Sequence, residues 1–180
     1  MEDGDDMSNI KLVKPSIEYA QDIMAYRDEF LQSKDSMAGC GSLRDQETAE
    51  SWLHEIDLLE NEETCPQGKV SSNTYLAVRT EDKRIVGIID FRHHIDHPIL
   101  GLWGGHIGYS VRPGERRKGY AKEMLKLVLQ KCRKHGLSRV MVTCDADNIA
   151  SKKTILVNGG VFDKDVQVDG EIIKRYWIEL

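Results

Sequence analysis

Apolar residues recur along this chain with two periods, one typical of helices and one typical of strands. Helical spacing predicts long helices at residues 17–30, 46–59 and 121–132, and a shorter one at 151–157. Alternating or β-branched stretches predict strands at 10–13, 73–79, 84–94, 107–111 and 139–144, another beginning at 161 and a last one at 172–180. Antiparallel hairpins therefore precede strand–helix units, which indicates an α/β fold in the broad sense.

The length of 180 residues predicts one domain, which we place at residues 9–180. Residues 1–8 are acidic and are expected to be disordered. Four cysteines (Cys40, Cys65, Cys132 and Cys144) show no Cys-x-x-Cys spacing, and we expect Cys132 and Cys144 to be reduced core residues.

Charge and hydropathy narrow the class of protein. The net charge of −5 argues against nucleic acid as the main partner. The longest apolar runs are far shorter than the ~20 residues that span a bilayer, so no membrane partner is expected. The start Met-Glu-Asp-Gly-Asp-Asp is the reverse of a cationic signal peptide, which predicts a cytoplasmic protein.

A basic loop with a glycine stands between the strand at 107–111 and the helix at 121–132. Arg116, Arg117 and Lys118 are consecutive cations, and Gly119 follows them. The first N–H groups of a helix have no intrahelical partner, and the helix dipole adds about half a positive charge there. The loop therefore predicts a phosphate or pyrophosphate ligand.

The spacing excludes two common phosphate loops, because neither the nucleoside-triphosphatase pattern nor the three-glycine dinucleotide pattern is present. Val111-x-Pro113 followed by Arg-x-x-Gly-x-Ala (Arg116, Gly119 and Ala121) resembles the pyrophosphate loop of the GCN5-related N-acetyltransferase family. A second motif of that family, a strand followed by Asn-x-x-Ser and a short helix, matches Asn148 and Ser151. The two motifs together cover roughly residues 106–162.

The resemblance implies an acyl-CoA N-acyltransferase fold with a mixed central sheet and about four flanking helices. It also implies acetyl-coenzyme A as co-substrate. In this family two strands splay apart and pair with the pantetheine amides, which falls on Tyr109, Ser110 and Val111. The residues expected at the coenzyme are Tyr109, Val111, Arg116, Arg117, Lys118, Gly119, Tyr120, Ala121, Lys122, Asn148, Ser151 and Lys152.

The implied reaction is attack of an amine on the thioester carbonyl, which needs a proton acceptor and a donor for the carbonyl oxygen. We expect His106 and Ser110 as catalytic residues, His106 as the base and the strand backbone as the donor. His93 or His94 is the alternative base. No metal is expected, because adjacent histidines on a strand point to opposite faces.

One position departs from the family. Many members carry a tyrosine seven residues after the motif asparagine, where it protonates the leaving thiolate, but Ile155 stands there in this chain. Another donor (Tyr176 is one candidate), water, or departure of the free thiolate remain open, since a thiol pKa of ~8.5 tolerates the last. The alternative function is a catalytically silent coenzyme A sensor of the same fold.

The acceptor side has no motif. We expect the acceptor to be a primary amine, a small molecule rather than a protein. It would be held by the first two helices and the loops at 34–44 and 95–103, with Trp103 as a wall. The acidic residues that would suit a cationic amine there are Asp28, Glu29, Asp35, Glu55 and Asp96. The sequence fits either a monomer or a homodimer.

Overall fold

The computed structural model describes residues 8–180, and the predicted disorder of residues 1–8 falls almost entirely outside that range. The described chain contains seven strands and four α-helices. In chain order they are β1 (Ile10–Val13), α1 (Ala20–Ser33), α2 (Ala49–Leu59), β2 (Ser72–Arg79), β3 (Ile85–Arg92), β4 (Ile107–Val111), α3 (Tyr120–His135), β5 (Arg139–Asp145), α4 (Ile149–Val157), β6 (Val161–Val168) and β7 (Glu171–Glu179).

The strands form two sheets. The first has the order β1-β2-β3-β4 and the second the order β5-β7-β6, and every paired neighbour is antiparallel. The predicted α/β fold class is confirmed. We expected a single mixed sheet, but the structure has two antiparallel sheets instead. They lie next to each other at β4 and β5, which share no ladder.

Two hydrophobic cores cover the two faces of the first sheet. Alternate side chains of β2 and β3 supply both, because successive strand residues point to opposite faces. Leu76 and Ile88 pack with α1 and α2 around the fully buried Trp52. Ala77 and Ile89 pack on the other face with α3, α4 and the second sheet. Strands β2 and β3 are therefore covered by hydrophobic side chains on both faces.

Helix starts follow local capping. The Thr48 side chain accepts a hydrogen bond from the Ser51 N–H, so α2 starts at Ala49 rather than at the predicted residue 46. The predicted first helix begins as a 3-10 turn, Ile17–Tyr19, before α1. In the described part of the chain, no helix is both long and apolar enough to cross a bilayer.

Candidate active site

Two hydrogen bonds join the two sheets near the starts of β4 and β5. The His106 N–H donates to the Met141 carbonyl at 2.8 Å, and the Met141 N–H donates to Nδ1 of His106 at 2.9 Å. Gly105 allows this close approach: its φ is +70°, and a Cβ there would lie 2.7 Å from the Met141 oxygen. No ladder joins β4 to β5, and we call the unpaired stretch between these two strands the opening.

The hydrogen bonds of β4 show which of its backbone groups face that opening. The Arg92 N–H donates to the His106 carbonyl at 2.7 Å, and the Arg112 N–H donates to the Val86 carbonyl at 2.8 Å. In an antiparallel pair such groups alternate, so even-numbered residues of β4 turn their backbone toward β3. The residues whose backbone groups turn away from β3, toward β5, are Ile107, Tyr109 and Val111.

Ser110 is one of the even-numbered residues of β4, whose backbone groups turn toward β3. It pairs with Ile88 of β3, which directs its N–H away from the opening. Its hydroxyl is buried on the α1 side, 2.8 Å from the Tyr26 hydroxyl and 3.4 Å from the Cys40 sulfur. This placement does not support Ser110 as the donor to a thioester carbonyl, and it shifts that role to its odd-numbered neighbours.

The predicted phosphate loop leads directly into α3. Gly119 is the N-cap, with a left-handed φ of +85°, and a Cβ built on it would meet nothing within 4 Å. The left-handed conformation favours glycine, and the empty space beside it leaves the first N–H groups of a 16-residue helix accessible. Tyr120 and Ala121 form the first turn. The residues present therefore fit a pyrophosphate.

The cations of this loop differ in how they are engaged. Arg116 is exposed, donates to the Val111 carbonyl at 3.3 Å and pairs with Asp35 at 2.8 Å. Lys118 pairs with Glu115 at 2.8 Å. Arg117 is exposed and has a left-handed φ of +62°. No hydrogen bond or ion pair of the Arg117 side chain is recorded within residues 8–180, so it is available to an anion.

The start of α4 lies beside the same opening. Asn148 is the N-cap, and its Oδ1 accepts a hydrogen bond from the Ser151 N–H at 3.1 Å. The Ser151 hydroxyl is 2.6 Å from the Tyr109 hydroxyl, so α4 touches β4 across the opening. Lys152 is half-buried next to it. At the other end of α4, the Asn158 side chain donates to the Lys122 carbonyl at 3.2 Å, which joins α4 to α3.

His106 is 6% exposed, and burial lowers the pKa of its imidazole to about 4. Its Nδ1 lone pair accepts the Met141 N–H, so the neutral ring carries its proton on Nε2. No lone pair is then free to abstract a proton. The geometry favours a positioning role for His106 over that of general base.

The alternative base His93 lies elsewhere. Its Nε2 is 2.7 Å from the Asn73 side-chain oxygen, and its ring stacks on His135, the last residue of α3, with centroids 4.0 Å apart. His94 is 3.8 Å from Asp96, a carboxylate that is 95% exposed. Among the described residues, no group of three His, Cys, Asp or Glu side chains could hold a metal ion.

The acidic residues proposed for a cationic acceptor are largely engaged within the protein. Asp28, Asp35 and Glu55 pair with Arg27, Arg116 and Lys69 respectively. Glu29 pairs with Arg112, a buried arginine that also bonds Asp22. These pairs do not support those carboxylates as an acceptor site.

A buried carboxyl that the sequence interpretation missed is Asp90 of β3, which pairs with Gly108 of β4. It is 9% exposed, its Oδ1 has no hydrogen-bond partner, and burial raises its pKa. The nearest cation is Arg92, whose guanidinium is 3.9 Å from that oxygen. No motif marked this residue; only the pairing of β3 with β4 brings it beside the glycine.

Neither of the two positions that the sequence raised for a thiolate donor is supported by the structure. Ile155 is fully buried among the side chains between α3, α4 and the sheets, so its position is filled by packing rather than by a donor. Tyr176 is 1% exposed in the same core, with its ring against Phe162 at 5.7 Å. Its burial does not support Tyr176 as a donor to a thiolate.

Comparisons with known proteins identify the family and the fold. The family model described as "Acetyltransferase (GNAT) domain" matches residues 10–161. No curated protein sequence matches the chain. One similar solved structure is the microcin C7 self-immunity acetyltransferase MccE, in complex with acetyl-CoA and AMP. It has a TM-score of 0.69 at 18% identity, over 96% of this chain and 93% of that one.

Two further structures cover both chains almost fully. The ribosomal L7/L12 α-N-protein acetyltransferase RimL with coenzyme A has a TM-score of 0.67 at 16% identity, over 96% of this chain and 95% of that one. An acetyltransferase from Salmonella typhimurium that modifies the N-terminal serine of L7/L12 has 0.66 at 14%, over 96% of each chain. At these identities the likeness shows the fold alone. The family model covers most of the chain, and the chain therefore belongs to the GNAT acetyltransferase family.

Proposed function

We propose that this protein transfers the acetyl group of acetyl-coenzyme A to a primary amine of a small molecule. The observation that carries the proposal is the succession of three features: the open N-terminus of α3 at Gly119, the β5-facing backbone of β4, which has no strand partner, and the opening between β4 and β5. A pyrophosphate at the helix and a pantetheine arm along the strand would use all three. Two similar structures carry acetyl-CoA or coenzyme A.

The coenzyme would be held mainly by backbone. The first amides of α3 would bind the pyrophosphate, and Arg117 would add charge from outside, because its side chain is exposed and makes no hydrogen bond or ion pair with the described residues. Arg116 and Lys118 would exchange their ion pairs with Asp35 and Glu115 for phosphate oxygens. Those two pairs are partly exposed on at least one side, so their loss is inexpensive.

The outward backbone groups of β4 would then orient the arm and the thioester. The N–H groups of Tyr109 and Val111 face away from β3, so one of them can donate to the carbonyl oxygen as charge develops on it. His106 would keep that strand at a fixed distance from β5 through its two hydrogen bonds with Met141. We therefore assign to His106 the role of setting the distance between β4 and β5.

The amine must lose a proton to attack, because free primary amines have a pKa near 10 and are mostly protonated at pH 7. No side chain of the described site stands ready with a free basic nitrogen: His106 uses its Nδ1 toward Met141. We therefore assign the proton to water at the opening. This predicts a rate that rises with pH as the fraction of free amine rises.

A second candidate is a coenzyme A binding protein without transferase activity. The observation that favours it is Ile155, which packs in the core at the position where many members carry a tyrosine. Both candidates require coenzyme binding. They differ in whether any amine is acetylated.

Calorimetric titration with acetyl-coenzyme A, followed by an assay of free thiol release, tests the proposal. We expect one-to-one binding in the micromolar range and thiol release with at least one of a panel of small primary amines. Peptides with free N-termini serve as the comparison set. Binding without release with any amine would favour the second candidate, and no binding at millimolar ligand would overturn both.

A further inference from the structure

Tyr109 crosses from β4 to the first turn of α4 with its hydroxyl. The phenol oxygen is 2.6 Å from the Ser151 hydroxyl, and it also interacts with the hydroxyl of Thr154, in the next turn of the helix. Burial raises the Tyr109 pKa to about 12, so the phenol stays protonated at every pH at which the protein would work. A protonated phenol, with two hydroxyls around its oxygen, thus lies beside the opening between β4 and β5.

The Tyr109 hydroxyl lies close to the position of Ile155, whose side chain cannot donate a hydrogen bond to a thiolate. Ser151 precedes Ile155 by four residues, so the two side chains share one face of α4 and are separated by one turn, about 5.4 Å along the axis. Tyr109 also packs against the core that contains Ile155. Strand β4 therefore places a phenol within about one helical turn of Ile155, where α4 itself carries no side-chain hydrogen-bond donor.

A coenzyme bound in the proposed way would have its sulfur near Tyr109. The pyrophosphate loop follows β4 in the chain, beyond Val111, so an arm that extends from that loop along β4 runs back toward Tyr109 and the junction of His106 with Met141. The reactive end of the arm therefore approaches the start of the strand. There Tyr109 is the residue whose side chain carries a hydrogen-bond donor toward α4.

We infer that the Tyr109 hydroxyl donates a hydrogen bond to the coenzyme A sulfur as the thioester breaks; this rests on the proposed function. The amine nitrogen forms its bond to the carbonyl carbon, the carbon–sulfur bond breaks, and its electron pair goes to sulfur. The amine's proton goes to water. Either hydroxyl of the Tyr109–Ser151 pair can donate, and in this step Ser151 would donate to the phenol oxygen, so that the phenol hydrogen is free for sulfur.

Tyr109 keeps its own proton in this step. A thiol has a pKa of ~8.5, well below that of the Tyr109 phenol, so full transfer of the phenol proton to a thiolate is unfavourable. A hydrogen bond to a developing charge is favourable without any transfer of the proton. The thiolate is thus stabilised as it forms and takes a proton later from solvent.

The test is Tyr109→Phe, with Tyr75→Phe as matched control, since Tyr75 is a half-buried tyrosine of β2 outside the opening. The ultraviolet absorbance of the thiolate gives the thiol pKa of coenzyme A bound to each protein, and no acceptor amine is needed. We expect that pKa to be about one unit lower in the parent and in Tyr75→Phe than in Tyr109→Phe, a tenfold effect. Turnover should fall about tenfold or more in Tyr109→Phe, with the KM for acetyl-coenzyme A unchanged.

Several results would overturn the inference. Equal thiol pKa values in the parent and Tyr109→Phe would do so while leaving the proposed function intact. Loss of coenzyme binding in Tyr109→Phe would assign the phenol to binding instead. If Tyr109→Phe does not fold, the parent protein alone provides the test. A thiol pKa of bound coenzyme A equal to that of free coenzyme A would then contradict the inference. A one-unit difference without turnover on any amine would support the hydrogen bond and reject the transferase proposal.

Discussion

The Nδ1 atom of His106 accepts a hydrogen bond from the Met141 N–H, 2.9 Å away, while the His106 N–H donates to the Met141 carbonyl at 2.8 Å. These two bonds are the junction between two sheets that share no ladder. A protonated imidazole has no lone pair for the Met141 N–H, so the junction requires the neutral ring.

This requirement makes stability depend on acid. The His106 pKa is about 4 in the folded protein and near 6.5 when unfolded, so the unfolded chain binds more protons between those values. Stability should be complete above pH 6.5 and fall as the pH drops toward 4, by up to about 3 kcal/mol. Urea unfolding of the parent and of His106→Gln at pH 7.5 and pH 5 measures it, and His106→Gln should lose less on acidification.

His93 is the control for this prediction. Burial lowers its pKa to about 4 as well, but it lies against His135 and makes no bond between the sheets. His93→Gln should also lose less stability on acidification, yet it should keep the parent's turnover, whereas His106→Gln should lower turnover. Equal turnover in all three proteins would contradict the role of His106 at the opening.

Local patterns predicted most elements to within a few residues, because apolar periodicity and caps act within one segment of chain. The interpretation of Gly119 and of Asn148 with Ser151 relied on such local motifs, and the structure makes Gly119 and Asn148 the N-caps of α3 and α4. Two features escaped because they depend on register between distant segments. The alternation along β4 turns Ser110 toward β3, and the pairing of β3 with β4 buries Asp90 beside Gly108.

Arg112 and Arg117 are separated by five positions but should respond to alanine in opposite ways. Arg117→Ala removes an exposed charge and should weaken acetyl-coenzyme A binding about fivefold with unchanged stability, because exposed charge pairs contribute about 1 kcal/mol. Arg112 is 2% exposed and holds Asp22 and Glu29. Arg112→Ala should therefore cost about 3 kcal/mol or more in stability.

Calorimetry and thermal unfolding of the two variants separate the effects. A rise in salt should weaken binding to the parent more than to Arg117→Ala, since the variant has one charge fewer to screen. Unchanged affinity in Arg117→Ala at low salt would remove this side chain from the coenzyme site.

Asp90→Asn should stabilise the protein at neutral pH by about 1 kcal/mol, because it replaces by a neutral group a buried carboxylate whose Oδ1 has no hydrogen-bond partner among residues 8–180. Burial raises the Asp90 pKa above its usual value of 3.8, so the folded protein holds a proton that the unfolded chain loses. Parent stability from this group therefore falls as pH rises above about 4. The difference between the variant and the parent should be largest at pH 7 and should shrink toward pH 4.

Urea unfolding of the parent and of Asp90→Asn at pH 7 and pH 4 measures this difference in stability. A variant less stable than the parent at pH 7, or a difference that does not change with pH, would show that the Asp90 carboxylate has a partner that stabilises its charge.

Gly119 and Gly136 provide a matched pair at the two ends of α3. Both have left-handed backbone, with φ of +85° and +101°, and a Cβ at either position would meet nothing within 4 Å. A Glu at either site should cost about 1–2 kcal/mol in backbone strain. Only Gly119 stands where the proposed pyrophosphate approaches, so Gly119→Glu should weaken acetyl-coenzyme A binding by about a hundredfold or more through bulk and like charge, while Gly136→Glu should bind like the parent.

Calorimetric titration measures the affinity of each variant, and thermal unfolding verifies that both fold. Gly119→Asn adds a second comparison, because asparagine tolerates the left-handed region and carries no charge, so it should bind better than Gly119→Glu. Equal affinity of Gly119→Glu and Gly136→Glu would mean that the anion does not bind at this end of α3. The first amides of α3 and the exposed side chain of Arg117 would then need another ligand, since both lie at that helix end.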